Sequence, residues 1–309
     1  MNVCAVKTLT EITPQLGYEY LCNFGITTLV DKRVEKDGSV SSDINQPLAL
    51  GGITDGVTNL EMTAAYATIA NKGTYTKPAF YSQVIDSNGR VILDNTTPTT
   101  HTVLKKETAS LLTEAMESVV TEGTGTACKL SNGMVAAGKT GTTSSEYDLW
   151  FCGYTPYLTA SIWTGYDENK SLSGDQAYHE RLWAKIMDQI DDVKKYKPKG
   201  FNKGENVKAV QICDTSGKTA IKGVCPKTHT EYYKKGTEPA KCSYHSSYNN
   251  GNYSSNSKYN NGYSSKTNSK SSTTKSSNNT PTKAATGSTK PTTKAKTKNS
   301  AQKTTNSNE

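Results

Sequence analysis

Lys139-Thr140-Gly141-Thr142 is the short run whose residue types and spacing best suit chemistry on an acyl substrate that carries a carboxylate. Lys139 offers positive charge, Thr140 and Thr142 offer hydroxyls that bind a carboxylate, and Gly141 leaves room for a second backbone to approach. A main-chain N–H of such a strand can act as an oxyanion donor, typically contributing about 3–4 kcal/mol of transition-state stabilisation. The strand period of two places Thr140 and Thr142 on one face and Lys139 on the other. Lys139 must therefore reach a site through strand twist or from an edge position. Taken alone, Lys-Thr-Gly is a common triplet, and a solvated strand end explains it equally well. Its setting favours the chemical reading, because the apolar approach Met134-Val135-Ala136 precedes it and two further strand-like runs follow. His101, His179, His229 and His245 form no Ser/His/Asp arrangement, so a histidine-based triad is not expected. Glu146 reads as a solvated loop carboxylate. Asp148, Trp150 and Phe151 follow the triplet, and the aromatics read as core packing.

The elements that must position this run can be read from punctuation and periodicity. Thr13-Pro14 before Leu16, Tyr20 and Phe24, with Gly25 behind, predicts a capped helix. Thr58 and Glu61 form a capping-box pair before a helix that stops at Gly73. Ser87-Asn88-Gly89 between two strand-like runs predicts a hairpin over 80–94, with Asn-Gly supplying positive φ angles. Residues 107–122 return to helical spacing. Val135–Thr143, Leu149–Tyr154 and Thr159–Tyr166 read as an antiparallel meander, and His179–Ile190 as an amphipathic helix that covers it. The order of helices, sheet and covering helix predicts an α+β fold.

Residues 192–206 are polar and read as a linker to a small module at 207–245. There Cys213, Cys225, Cys242 and His245 permit either a site of three thiolates and one imidazole or one disulfide with a spare thiol. No tight Cys-x-x-Cys pair is present, so no metal is assigned, and the four residues stay a candidate set. Cys4, Cys22, Cys128 and Cys152 lie in apolar segments and are expected as buried free thiols.

Residues 246–309 hold 15 Ser, 12 Thr, 12 Asn and ten Lys against one Glu, a composition expected to stay disordered. The whole chain carries +8 and this tail +9, so residues 1–245 are close to neutral at −1. The basic balance belongs to the tail, and a nucleic-acid-binding role for the folded part loses its support. No run of 18 or more apolar residues appears. Met1–Lys7 lacks the basic start and apolar stretch of an export signal.

A resemblance emerges over about residues 2–191. GGITDGVTNLEMTAAYATIANKGTYTKP, VVTEGTG, AAGKTGTTSSEYDLWFCGYTP and WTGYD, in that order, resemble the second half of the transpeptidase domain of class A penicillin-binding proteins, the bifunctional peptidoglycan synthases. Residues 207–245, with CDTSGKTA, CP, GTEP and CSYH, resemble the cysteine-containing extension of clostridia-like Gram-positive members. The resemblance implies a penicillin-binding transpeptidase fold, serine β-lactamase-like, with an antiparallel sheet covered by helices and only the C-terminal half present. It also implies the domain order 1–191 transpeptidase part, 192–206 linker, 207–245 extension and 246–309 tail.

The family uses three motifs: Ser-x-x-Lys for the nucleophile and its base, Ser-x-Asn for proton relay and substrate amide, and Lys-Thr-Gly. Only the third is whole in this sequence. Asn2 matches the motif asparagine and Met1 its middle residue, and Ser-x-x-Lys occurs only in the tail, at Ser255, Ser272 and Ser300. The expectation is a chain that starts inside the catalytic domain, lacks the nucleophile and is inactive alone. By the resemblance, Lys139 and Asn2 are catalytic, and Thr140, Gly141 and Thr142 bind substrate. No cofactor is implied. The expected partners are peptidoglycan stem peptides and β-lactams, with anionic cell-wall polymer for the basic tail and no nucleic acid. The expected place is the outer face of the cytoplasmic membrane, in the cell wall, with the membrane anchor outside this chain. Two other readings stay open: a D-Ala-D-Ala carboxypeptidase or β-lactamase-like hydrolase, and a non-catalytic wall-binding surface protein.

Overall fold

In the computed structural model, which describes residues 2–245, the chain opens with helix α1 (Asn2–Ile12), an element the sequence pattern did not announce. The expected disorder of 246–309 lies outside the described residues. Helix α2 (Pro14–Asn23) starts as expected, with the Thr13 hydroxyl accepting the Leu16 N–H. Gly17 lets the two helices meet, because a Cβ there would sit 2.5 Å from Leu9 Cδ1. Neither helix is well covered. Leu9 is the one buried residue of α1 and α2 has none, so Cys4 and Cys22 are exposed rather than buried.

A short ribbon of β1 (Arg33–Val34) and β2 (Val40–Ser41) follows, then a 3-10 turn at Gln46–Leu50. The buried Asp43 carboxylate organises this region, accepting the N–H of Val30 and Thr54 and the Thr54 hydroxyl at 2.6–2.8 Å. Such bonds offset the cost of burying the group. Helix α3 (Asn59–Ala70) begins with the predicted capping box between Thr58 and Glu61. The other Glu61 oxygen accepts the N–H and hydroxyl of Thr27, joining the helix start to the earlier loop.

Strand β3 (Thr74–Thr76) pairs with β6 (Thr100–Thr102), and between them β4 (Gln83–Ile85) and β5 (Val91–Asp94) form the predicted hairpin. Its turn differs from expectation. Gly89 alone takes positive φ (81°), while the Asp86 carboxylate accepts the N–H of Asn88 and Arg90. The side-chain acceptor holds a longer loop, so Asn88 need not enter the left-handed region.

After helix α4 (Lys106–Thr121) come the three strands of the central sheet: β7 (Ala137–Thr142), β8 (Asp148–Tyr154) and β9 (Thr159–Gly165). They form the expected antiparallel meander in the order β7-β8-β9. Helix α5 (Tyr178–Lys194) lies on one face, where Trp183 and Met187 pack with Phe151, Cys128, Leu130 and Val120. On the other face Tyr154 and Ala137 meet Met116 of α4 and Tyr66 and Ile69 of α3. Asn59 and Thr63 of α3 also bond Ser161 of β9. The last elements are the hairpin strands β10 (Val207–Cys213) and β11 (Thr228–Lys234). Among the described residues no helix is long and apolar enough to cross a membrane.

Two expectations follow from this packing. Phe151 is fully buried and meets Trp183 edge to face at 5.0 Å. Phe151→Ala should cost about 3–5 kcal/mol in urea unfolding; a loss near zero would show that the ring is not a core element. Burial raises the pKa of Glu61, but the bonds from Thr58 and Thr27 outweigh it and hold it at about 2 against an ordinary 4.5. A depressed carboxyl stabilises the fold above its unfolded pKa, and that contribution is lost as pH falls through the folded value. Acid titration should therefore show stability falling between pH 4.5 and about 2, and Glu61→Gln should flatten this limb.

Candidate active site

β7 is an edge strand, paired with β8 and with no other strand among the described residues. The register decides which of its backbone groups are free. Thr143, one residue beyond β7, donates its N–H to the Asp148 carbonyl at 3.2 Å. Counting back by twos, Gly141, Lys139 and Ala137 turn their N–H and C=O groups to β8, whereas Thr142, Thr140 and Gly138 turn theirs to the open edge. The Lys139 ammonium takes advantage of this arrangement. It donates to the Thr140 carbonyl at 2.9 Å and approaches the Thr140 hydroxyl at 3.4 Å. The edge position thus settles how a lysine on the opposite side-chain face from Thr140 reaches the same site.

The exposed Lys139, the half-buried Thr140 and Gly141, and the exposed Thr142 form one open ledge. Along it lie a fixed positive charge, two hydroxyls, and the edge-facing N–H groups of Thr140 and Thr142. The Thr140 hydroxyl also exchanges a 2.8 Å hydrogen bond with Thr124, a residue the sequence did not single out. Such a ledge can bind a carboxylate and, beside it, a developing oxyanion. A cleft of about 330 Å³ lined by Ile69, Thr113, Phe201 and Lys203 contains none of these four residues.

The turn after β7 is held firmly. Asp148 accepts the Thr143 hydroxyl at 2.8 Å and the Trp163 indole N–H at 2.9 Å. Ser145 and Glu146 take left-handed conformations (φ 60° and 58°), a cost that the surrounding bonds must offset. Leu172 donates its N–H to the Glu146 carbonyl, Ser171 its hydroxyl to the Ser145 carbonyl, and Gln176 its amide to the Glu146 carboxylate. Glu146 is thus an exposed turn residue, while Phe151 lies in the core and Trp150 is only half-buried beside Trp163. Burial pushes the Cys152 thiol up to about 12 and the Cys128 thiol higher, which leaves both as unreactive packing groups.

Asn2 stands exposed at the first position of α1, and among the described residues no hydrogen bond joins it to β7. The structure does bring together Cys213, Cys225, Cys242 and His245, whose ligating atoms all lie within 4.8 Å of one another.

Comparison with known proteins bears on both regions. Residues 1–189 match the model of the penicillin binding protein transpeptidase domain, and residues 203–247 match that of the penicillin-binding protein 1A C-terminal domain. Penicillin-binding protein 1A of Clostridium tetani is 31% identical over 261 residues, covering 81% of this chain and 32% of that protein. Penicillin-binding protein 1F of Bacillus subtilis is 35% identical over 219 residues, covering 68% of this chain and 28% of that protein. The chain thus spans about a third of the length of the curated relatives it matches, or less. The crystal structure of penicillin-binding protein 1A from Haemophilus influenzae matches 78% of this chain and 39% of its own, with a TM-score of 0.58 and 20% identity, a likeness of fold.

The two glycines of β7 differ in how much room they have. A Cβ on Gly138 would lie 2.6 Å from Phe151 Cζ and 2.7 Å from the Cys152 carbonyl, whereas one on Gly141 would first meet Trp150 Cβ at 3.2 Å. Gly138→Ala should therefore cost about 1–3 kcal/mol by overpacking, and Gly141→Ala clearly less. Thermal unfolding of the two variants side by side checks the order, and equal losses would contradict the β7–β8 register.

Proposed function

The chain belongs to the penicillin-binding-protein transpeptidase family, and on that footing we propose that its β7 ledge is the carboxylate-binding and oxyanion wall of a serine D,D-transpeptidase. The substrate in this reading is a peptidoglycan stem peptide ending in D-Ala-D-Ala. A serine hydroxyl adds to the penultimate carbonyl, its proton passes to a lysine base, and the terminal D-Ala leaves as the amine. An amine from a neighbouring stem peptide then displaces the serine from the acyl-enzyme and forms the cross-link. β-Lactams acylate the same serine.

The observation that carries this reading is the meeting of Lys139 with the open edge of β7. The terminal carboxylate of the peptide, or the carboxylate of the drug, is placed against the Lys139 ammonium and the hydroxyls of Thr140 and Thr142. The edge-facing Thr142 N–H is aimed at the carbonyl oxygen as it gains charge, where a preorganised donor is most effective. Gly141 keeps the ledge free of a side chain. Asn2 is assigned the acyl-side amide of the substrate, by its match to the family motif.

Residues 1–245 contain no Ser-x-x-Lys, so these residues hold the binding wall without the attacking group. We therefore propose that the 309-residue chain is not acylated by itself and works only with a polypeptide that brings the serine and its lysine. Exposed apolar side chains support a further contact surface, among them Val3, Leu16 and Tyr20 of α1 and α2 and Leu182 and Ile186 of α5. Its place in this reading is the outer face of the cytoplasmic membrane.

Fluorescent penicillin tests the proposal directly. The purified chain should take no covalent label, and a fusion behind the corresponding preceding part of the Clostridium tetani relative should restore it. Within the fusion, Lys139→Ala should slow acylation on the order of 10²-fold, the scale of losing one electrostatic stabiliser of the transition state. Labelling of the isolated chain, or a labelled fusion indifferent to Lys139, would sink the assignment.

A further inference from the structure

Three stretches of the module after residue 206 converge on one point. β10 ends at Cys213, the loop to β11 carries Cys225, and the segment after β11 returns with Cys242 and His245. The backbone fixes this convergence. Thr219 bridges to Ile212 on one side and to Lys241 on the other, receiving the Cys242 N–H on its carbonyl at 2.8 Å and donating its own N–H to Ala240 at 3.1 Å. Cys213 donates its N–H to the Lys218 carbonyl at 2.8 Å, closing the turn beneath it. The sequence places Cys213 and Cys242 far apart, but the Thr219 clamp sets them side by side.

The spacing is that of a metal shell. Metal–sulfur and metal–nitrogen bonds of about 2.3 and 2.05 Å at tetrahedral angles put sulfur about 3.6 Å from nitrogen and about 3.8 Å from another sulfur. His245 Nδ1 lies 3.4 Å from Cys213 Sγ and 3.5 Å from Cys242 Sγ, and all four ligand atoms fall within 4.8 Å of one another. The sulfurs are also served by donors. The Ser216 hydroxyl points at Cys242 Sγ at 3.2 Å and the Ile221 N–H at Cys225 Sγ at 3.3 Å. Donors aimed at sulfur suit thiolates better than thiols, and such second contacts orient metal ligands. Cys213 and Cys242 are buried, while Cys225 and His245 are half-buried.

A disulfide uses this arrangement poorly. Any one bond among three cysteines strands the third and leaves His245 without a role, and all three are free thiols in the structure. A metal uses all four. A module of this size also has little core of its own: its buried apolar residues are Val210, Ile212, Cys213 and Cys242. Domains this small commonly need a staple.

We propose that Cys213, Cys225, Cys242 and His245 bind one zinc ion as a tetrahedral structural site that closes the module. Binding releases the three thiol protons to solvent and leaves a complex of net charge −1, which Lys218, Lys222, Lys227 and Lys241 of the same module offset. With four protein ligands the shell is full, so the ion has no open position for substrate and serves the fold. This inference does not depend on the transpeptidase reading, because it rests on a different set of residues.

Metal analysis of the full chain, purified under reducing conditions from zinc-supplemented cells, should find stoichiometric zinc. Cobalt(II) in its place should give thiolate-to-metal charge transfer and the intense visible bands of a tetrahedral ion. Cys242→Ser should lose the metal, while His245→Cys should keep it and shift the cobalt bands as a nitrogen ligand becomes sulfur. If Cys242→Ser fails to fold, the cobalt spectrum of the unaltered chain still decides. Absence of metal with all three thiols open to alkylation would overturn the proposal. So would a disulfide among the three in the purified chain, or zinc retained when all three are replaced by serine.

Discussion

The Phe151 ring and the two glycines it lies against fix the central sheet. Gly138 and Gly153 are register partners across β7 and β8, and a Cβ on either would fall 2.5–2.6 Å from ring atoms of Phe151. The ring fills the space those missing side chains leave and meets Trp183 of α5 beyond. A bulkier residue at either position would lift the ring, and a one-residue slip would bring side chains beneath it and turn Lys139 to the α5 face. The pairing of these two strands therefore rests on one aromatic and two absences of side chain. The open ledge inherits that precision, since the same register turns the N–H groups of Thr140 and Thr142 outward.

Signals that act over a few residues were legible in the sequence. The Thr13 cap, the Thr58–Glu61 box, the three strands after Gly125 and the covering helix all have local causes, and each forms where the pattern put it. Interactions across distance were not. Asp43 binds Thr54 and Val30, and Glu61 binds Thr27, through partners that no spacing marks. Helix α1 buries only Leu9, so it has little apolar periodicity to display. The hairpin turn departed from Asn-Gly geometry because Asp86, two residues before Asn88, supplies an acceptor that favours a different loop. At the ledge, residue types suggested carboxylate chemistry, but the reach of Lys139 depended on β7 being an edge, which belongs to the sheet and not to the strand.

The polar stretch 192–206 shows why composition alone undervalues such segments. Phe201 packs edge to face on Tyr154 at 5.5 Å, Tyr196 stacks on Tyr157 at 4.3 Å, and Lys199 lies over the same Tyr157 ring at 3.8 Å. Lys203 pairs with Glu114 of α4 at 2.6 Å and sits over Tyr232 of β11 at 3.7 Å. Asn206 adds an amide bond to Glu107 at 2.7 Å. Long polar side chains bury their stems and bond through their heads, and aromatic faces accept cations, so a hydrophilic run can be fastened along its length. The segment that reads as a connector thus joins Tyr154, at the end of β8, to the hairpin that carries Cys213.

The two edges of the central sheet make different demands. An unpaired edge invites association with another strand, and proteins protect such edges with charge or cover. On β7 the protection is Lys139, whose ammonium lies on the Thr140 carbonyl and occupies an acceptor that another strand would need. That charge opposes strand addition, and in the proposed function it is the same charge that the substrate carboxylate meets. β9 has no lysine within it, and its Trp163 is exposed. Helix α3 bonds Ser161 from one face, but among the described residues no strand pairs with the outer side of β9. The Asn59 amide of α3 donates in turn to the Ser161 carbonyl of β9, so a charged side chain covers an edge acceptor on β7 and a neutral helix amide covers one on β9.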